Sequence, residues 1–424
     1  MGQRTSKREW LHSWERGRQN SKESDEALTE LRDVYVADFL RVPFSRSRPA
    51  QPERDVYNSL RMDQALSILI KRILERTSFK PEEVGDVITG CAFQTGENWL
   101  YGGRHPALLA GLPVSVPTMA IDRACASSMN AASEGAMEIM TGNSDVVLAG
   151  GMEHLTHVPM TNNPGLAPNT RLLTRPEYAR YQMNVGYSMG LTAEKLAGEA
   201  GMTREEMDRF SLESHQKAAK SVDEGWFKGE LQEMRVEVDG QELVVDVDQS
   251  IRKDTTMEQL AKLPSSFKPG GLITAGNSSP LNAGASLVAL ASKQRVEERG
   301  LQPLARIVSM GWAGVDPSVM GKGPVPASKK ALERAGLRAG DVDLWEINEA
   351  FAVVVLYAIR ELGLDPARVN IHGGAISIGH PLGASGARLV GTLARELHDS
   401  GKEYGVATLC VGGGQGFAML LQRA

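Results

Sequence analysis

Cysteine is scarce: Cys91, Cys125 and Cys410 are the only three thiols in 424 residues. So small and odd a set excludes a disulfide framework and points to a reducing compartment, so a cytoplasmic location is expected. No two of the three have the spacing of a zinc pair, and no metal centre is expected. Long apolar runs are missing too. The stretch "AFAVVVLYAI", Ala350 to Ile359, is too short to span a bilayer. Neither sign of charge dominates. A net charge of -5 gives no reason to expect nucleic acid or an anionic membrane as partner. What remains is an ordinary globular composition, 42% hydrophobic and 23% charged, in a chain long enough for two or three domains.

Met1 to Glu30 holds six basic and six acidic residues and no apolar core of a secretion signal. The acids also speak against a mitochondrial presequence. Residues 1–32 read as an N-terminal extension. Trp10, Leu11 and Trp14 form one helical stripe in it, lying on the domain surface or docking to a partner.

From "DVYVADFL", Asp33 to Leu40, strand and helix patterns alternate, with a helix at Asp63 to Arg76 and a strand at Val84 to Ile88. Such alternation predicts α/β layers. A weak repeat runs through it at a constant offset of 258. "LER" at Leu74 recurs at Leu332, Val84 meets Val342, Ala126-Ser127 meets Ala384-Ser385, and Glu138 meets Glu396. Each "AS" pair opens a helical pattern that leads to an apolar strand ending in glycines, "DVVLAGG" and "GVATLCVGGG". Two similar α/β halves are predicted: residues 33–154, completed by about 275–299, and residues 300–424. Residues 155–274, with "MTNNPGLAPN" and a charged helix from Thr203 to Lys220, read as an inserted lid.

Three segments carry chemistry. Cys125 lies where the small-residue helix of "DRACASSMNAASEGAMEIMTG" begins, a place whose helix dipole and free N–H groups favour a thiolate. The plain alternative is a small buried cysteine. His380 stands between Gly379 and Pro381 in "GGAISIGHPLGASGAR", with five glycines in residues 373–386, a setting suited to a histidine that meets a substrate closely. "NEAF", Asn348 to Phe351, ends the apolar strand "VDLWEI" and places an amide and a carboxylate at a strand end, where α/β proteins build sites. Asn348 as a helix N-cap is the alternative there.

Together with "GGMEH", "MGLTAEK", "AGNSS" and "CVGGGQG", in order and at suitable spacing, these segments resemble the thiolases, from about Asp33 to Arg423. "NEAF", "HVPM" and "SMGLTAE" are similar to the degradative 3-ketoacyl-CoA type. The resemblance implies a five-layer αβαβα fold and a homodimer or homotetramer. It also implies CoA-dependent cleavage of a 3-oxoacyl-CoA, as in fatty-acid β-oxidation, with CoA as co-substrate and no permanently bound cofactor. By the same resemblance Cys125 is the nucleophile that carries the acyl group, His380 its base, and Cys410 the acid/base at the α-carbon. One oxyanion hole would use His380 with a water held by Asn348, the other the N–H groups of Cys125 and Gly412. Gly412 to Gly414 would let the main chain approach the thioester oxygen. Ser279 would bind the pantetheine arm and Arg252 the CoA nucleotide. Met189, Met320 and Phe351 would line the acyl tunnel, although all three are also common core residues.

Against the family's pattern, Asp122 and His372 replace Asn, Ser128 replaces Gly, Ala283 replaces Asp, Ser377 replaces Ala, and Ser188 stands where short-chain members often have His. None removes a catalytic group; several bear on the acyl chain accepted. A ketoacyl synthase is disfavoured by the second thiol, Cys410. A non-catalytic CoA-binding subunit of the same fold is the remaining alternative.

Overall fold

A computed structural model describes residues 31–424, so the tryptophan stripe of the extension lies outside the described residues. The first half runs β1 (Val34–Arg41), α1 (Met62–Thr77), β2 (Asp86–Gly90), β3 (Thr118–Ile121), α2 (Ser127–Met140) and β4 (Val146–His154). Then comes the segment expected as a lid, with α3 (Met189–Ala200), α4 (Arg204–Asp223) and a hairpin of β5 (Met234–Val238) and β6 (Gln241–Val245). β7 (Asn282–Ser292) returns to the first half. The second half has β8 (Ala305–Gly314), α5 (Pro324–Arg334), β9 (Leu344–Ile347), α6 (Ala352–Leu362), α7 (Leu382–Ser400), β10 (Tyr404–Val411) and β11 (Gln415–Arg423).

Nine strands follow one path, β9-β10-β11-β8-β1-β7-β4-β2-β3. It divides into two halves of matching order and direction. β2 pairs β4 in parallel as β9 pairs β10. The antiparallel pairs β4/β7 and β7/β1 correspond to β10/β11 and β11/β8. The starts of β2 and β4, Asp86 and Val146, fall 258 residues before Leu344 and Tyr404, the starts of β9 and β10. Where the halves meet, Tyr35 and Val36 of β1 face Arg306 and Ala305 of β8.

Helices make up the other layers. In α1 the buried residues Met62, Ala65, Leu66, Leu69, Ile70 and Ile73 recur at three- and four-residue spacing, one apolar stripe that covers the first half from outside. α5 and α6 cover the second half in the same way. α2 and α7 form the middle layer, packed between the two halves in one continuous core. This is the five-layer α/β arrangement. No described helix is long and apolar enough to cross a membrane.

Two local readings differ from expectation. α6 begins at Ala352 with Phe351 in the capping position, so Asn348 is not an N-cap. Its N–H instead continues the sheet, donating to Thr408 O at 2.9 Å. β2 starts two residues later than Val84 because a tight turn at Pro81–Glu83 takes up the preceding residues. The lid helix α4 appears as expected, with Thr203 and Glu206 forming a reciprocal capping box.

The middle layer depends on missing side chains. A methyl group added at Gly386 of α7 would sit 2.2 Å from the backbone N of Met129 in α2. One added at Gly383 would sit 2.2 Å from Met152 O. Gly386→Ala is therefore expected to force two backbones apart and destabilise the protein by ~1–3 kcal/mol or more. Gly198→Ala, on the exposed face of α3 with nothing within 4 Å, is expected to stabilise it by ~0.5–1 kcal/mol. Urea unfolding of both variants checks this, and a Gly386→Ala protein as stable as the parent would contradict the close crossing.

Candidate active site

Cys125 sits in a tight loop two residues before the first residue of α2. Ala124 Nα donates to Asp122 Oδ1 at 2.6 Å, and Arg123 Nα donates to Ser127 Oγ at 2.9 Å. The loop holds Ala124 at a φ of 45°, left-handed and costly for a residue with a Cβ. That strained turn presents the Cys125 thiol close to the N–H groups of Gly412 and of Cys125 itself. A helix N-terminus was expected to favour the thiolate. Burial outweighs it: the thiol is pushed up to about 11, and the two N–H groups only moderate the rise.

His380 is buried just ahead of α7. Its N–H donates to Asn282 Oδ1 at 2.9 Å. Its ring lies between two partners, Ser385 Oγ at 2.6 Å from Nδ1 and Asn348 Nδ2 at 3.2 Å from Nε2. The Ser385 hydroxyl gives its one proton to Pro381 O at 2.8 Å, so it accepts from Nδ1–H. This assigns the proton to Nδ1 and leaves the lone pair on Nε2. Burial, and next the charge of Arg388, hold the ring neutral, down to about 3. Asn348 Oδ1 is buried with no hydrogen-bond partner among the described residues.

Cys410 lies near the end of β10, buried, and its thiol is pushed far up by burial and next by Cys125. Three of the expected binding residues gather around it: Met320 and Phe351 share its apolar cluster, and Met189 packs on that cluster. The three glycines that follow have separate reasons. Gly413 and Gly414 have φ of 80° and 83° and make the hairpin turn into β11. Gly412 needs neither. A methyl there would be 3.5 Å from Met189 Sδ and 3.9 Å from Ala124 Cβ, ordinary contacts. Its bare backbone leaves space between the Cys125 loop and Met189. Ser279 is half-buried, tied by its N–H to Ala350 O at 3.0 Å, and Arg252 is exposed on the lid. Neither touches the cysteines.

Sequence reading passed over three residues that build the site. Asn282 holds His380 and also bonds Ser45 O and Ser250 Oγ through its Nδ2. A Cβ on Gly379, at a φ of 122°, would strike the Asn282 side chain, so the two positions are coupled. Ser385 sets the imidazole tautomer; it was visible only as half of the repeated "AS" pair. Glu153, from "GGMEH", accepts from Ala92 N, Asn98 Nδ2 and Gly383 N at 2.9 Å each. It thereby joins the loop after β2 to the first turn of α7. Burial raises its carboxyl to about 7.

The substitutions that set this chain apart are absorbed locally. Ser128 Oγ accepts from Ala387 N at 2.9 Å, linking α2 to α7. Ser377 Oγ and Ser214 Oγ lie 2.9 Å apart, and Ser214 also donates to Glu349, so helix α4 holds the loop that leads to His380. His372 stacks on Trp226 at 3.7 Å and bonds Ser221 Oγ, a second clasp to the lid. A further cluster, Glu97, His154 and His157, brings ligand-type atoms within 4.8 Å of one another. Its imidazoles stack in near-parallel planes 3.7 Å apart, so their in-plane lone pairs do not converge on one ion. His157 Nδ1 is bonded to Glu97, which raises its basicity.

A cysteine at a strained turn, a neutral buried histidine and a second buried thiol, on a duplicated α/β fold, are groups that acyl transfer through a cysteine could use. Residues 34–294 match the thiolase N-terminal domain and residues 301–423 the thiolase C-terminal domain. The chain belongs to the thiolase family. It is 42% identical over 402 residues to a 3-ketoacyl-CoA thiolase of Marinobacter nauticus, covering 92% of this chain and 98% of that one. Human mitochondrial 3-ketoacyl-CoA thiolase superposes with a TM-score of 0.83 at 36% identity, over 93% of this chain and 100% of that one. The same human enzyme in complex with CoA gives 0.82 at 37% identity, over 93% and 98%.

Proposed function

We propose that this chain is an acetyl-CoA C-acyltransferase that cleaves a 3-oxoacyl-CoA with CoA, giving acetyl-CoA and a shortened acyl-CoA, by way of an acyl-cysteine. The observation that carries the reading is the convergence of the Gly412 and Cys125 N–H groups on the Cys125 thiol, with Cys410 two residues from Gly412. Relatives named 3-ketoacyl-CoA thiolase, one of them solved with CoA, support it.

The geometry supports a set of roles. Because Cys125 rests as a thiol and His380 as a neutral ring, His380 Nε2 takes the proton as Cys125 Sγ attacks the keto carbon, rather than beforehand. The two N–H groups that now face Sγ would then face the thioester oxygen of the acyl-enzyme. Breaking the carbon–carbon bond leaves the enolate of acetyl-CoA, and Cys410 gives its proton to the α-carbon. A thiol whose pKa is raised by burial is a fitting donor to a strong carbon base. Incoming CoA then gives its thiol proton to the Cys410 thiolate and attacks the acyl group on Cys125; Cys125 Sγ leaves, taking back the proton held by His380, and the shortened acyl-CoA departs. Asn348 Oδ1, buried and unbonded, is a natural anchor for a water beside His380 at the oxyanion formed on the keto oxygen. The clustering of Met189, Met320 and Phe351 at Cys410 supports an apolar acyl end.

Substitution separates the two thiols. Cys125→Ser is expected to abolish the covalent adduct with a simple acyl-CoA, seen by mass spectrometry. Cys410→Ser is expected to keep the adduct but to lose about 10²–10⁴-fold in carbon–carbon cleavage. An adduct at Cys410 in the Cys125→Ser protein, with none in the Cys410→Ser protein, would reverse the roles.

A homodimer or dimer of dimers fits the free edge of the first half. Among the described residues β3 pairs only with β2, and its four residues are half-buried. Around it Trp99, Tyr101, Leu108, Leu109 and Val114 are exposed, Val114 to 84%. An unpaired strand edge beside apolar side chains is a surface that pairing with a second copy would satisfy. Light scattering at micromolar concentration is expected to give a dimer or tetramer, and a monomer would contradict this.

A further inference from the structure

Four arginines collect at one side of the site with no acid to balance them. Arg46 and Arg48 are half-buried, and Arg54 and Arg252 are exposed. Among the described residues none of the four makes an ion pair. The Arg54 guanidinium bonds only Gln51 Oε1, at 2.7 Å, and the buried Nε of Arg48 has no partner. Burial first, then the charges of Arg252, Arg48 and Arg54, draw the Arg46 guanidinium down to about 10. Like charges held together in a partly desolvated place are unfavourable unless an anion joins them.

Their place in the fold says where that anion would lie. The short strand Ser45–Arg46 pairs with Ala283 and Asn282 at the start of β7. Gln249 N donates to Phe44 O at 2.9 Å, so the lid segment leading to Arg252 runs beside the segment leading to Arg46. Asn282 Nδ2 reaches both Ser45 O at 2.6 Å and Ser250 Oγ at 3.1 Å, while its Oδ1 holds the His380 backbone. Arg46 and Arg252 therefore leave from either side of the residue that positions the catalytic histidine. Ser47 N bonds Leu281 O at 2.9 Å and Arg48 N bonds Thr156 Oγ1 at 2.8 Å, which carries the same surface outward past the segment of Ser279. The nearby acids are otherwise engaged or not paired with these arginines: Asp55 accepts from Thr156 Oγ1 and Tyr57 N.

We infer that Arg46, Arg48 and Arg54 act with Arg252 as a phosphate-binding mouth for the nucleotide end of CoA, its diphosphate and ribose phosphate. The inference rests on the reading of the chain as a CoA-dependent acyltransferase. It extends nucleotide binding from one lid arginine to a cluster shared by the lid and the first half. Guanidinium groups suit the task because each offers two parallel N–H donors to a phosphate. Docking the charged end in this way fixes the pantetheine arm along the Ser279 segment and aims the thioester at Cys125.

The test compares two substrates that differ only at the charged end: a 3-oxoacyl-CoA with CoA, and the matching 3-oxoacyl-pantetheine with pantetheine. For Arg46→Gln and Arg48→Gln, each alone and paired, kcat/KM with the CoA substrates is expected to fall about tenfold per arginine, mostly through KM and less steeply at high salt. Activity with the pantetheine substrates is expected to stay at the parent level, which also shows that the variants fold. Adenosine 3′,5′-bisphosphate is expected to compete with CoA in the parent and to lose that effect in the variants. Unchanged CoA kinetics would overturn the inference, and so would equal losses on both substrates, which would mark the arginines as structural. A parent protein inactive on both substrates would instead refute the acyltransferase reading itself.

Discussion

The site depends on how closely two helices approach in the middle layer. α2 and α7 meet backbone to backbone at Gly386, and the glycines around them allow the same on the strand side: methyl groups at Gly90 and Gly151 would meet Ser127 C at 2.4 Å and Gly383 O at 2.1 Å. Ser128 closes the contact with a hydrogen bond to Ala387 N. Cys125 precedes one helix and His380 the other, so this crossing ties together the ends of the chain's two halves that carry the proposed nucleophile and base. Leu382, the first residue of α7, shares an apolar cluster with Cys125. Ordinary side chains at these glycines would separate the halves and with them the two groups. The glycines cost conformational entropy that larger cores avoid, and the site they assemble is what offsets that cost in function.

The same packing decides the charge state. Excluding water from the crossing raises both thiols and lowers the imidazole. The resting site is consequently a set of neutral proton carriers rather than a preformed ion pair. Each acquires its charge only when substrate charge appears beside it, where a dry surround makes the interaction strong.

Much of this was legible in the sequence. The offset of 258 predicted the duplication, and β2, β4, β9 and β10 begin at that spacing. Regular alternation of strand and helix patterns, with a helix at Asp63 to Arg76, predicted the layers. Cys125, His380 and Asn348 were proposed from a helix start, a glycine-rich loop and a strand end, and Cys410 and the assignment of roles from the resemblance of the surrounding motifs. Asn282, Ser385 and Glu153 escaped because they work through hydrogen bonds to residues distant in the chain, and a lone Asn, Ser or Glu carries no spacing signal. The protonation of Cys125 was misjudged because the helix N-terminus is visible in sequence whereas the depth of burial is not. The arginine cluster was hidden for a similar reason: Arg252 joins Arg46, Arg48 and Arg54 only after the lid folds back on β1.

The protonation state of His380 tests the link between packing and chemistry most directly. Protein labelled with ¹⁵N in histidine, compared with a His380→Asn variant to identify the signal, reports tautomer and charge by NMR. A neutral ring protonated on Nδ1 is expected, unchanged from pH 8 down to below 5. The ordinary imidazole value lies near 6.5 and this one is held at about 3. An imidazolium at pH 7, or a proton on Nε2 in the resting enzyme, would contradict the assignment of His380 as the waiting base.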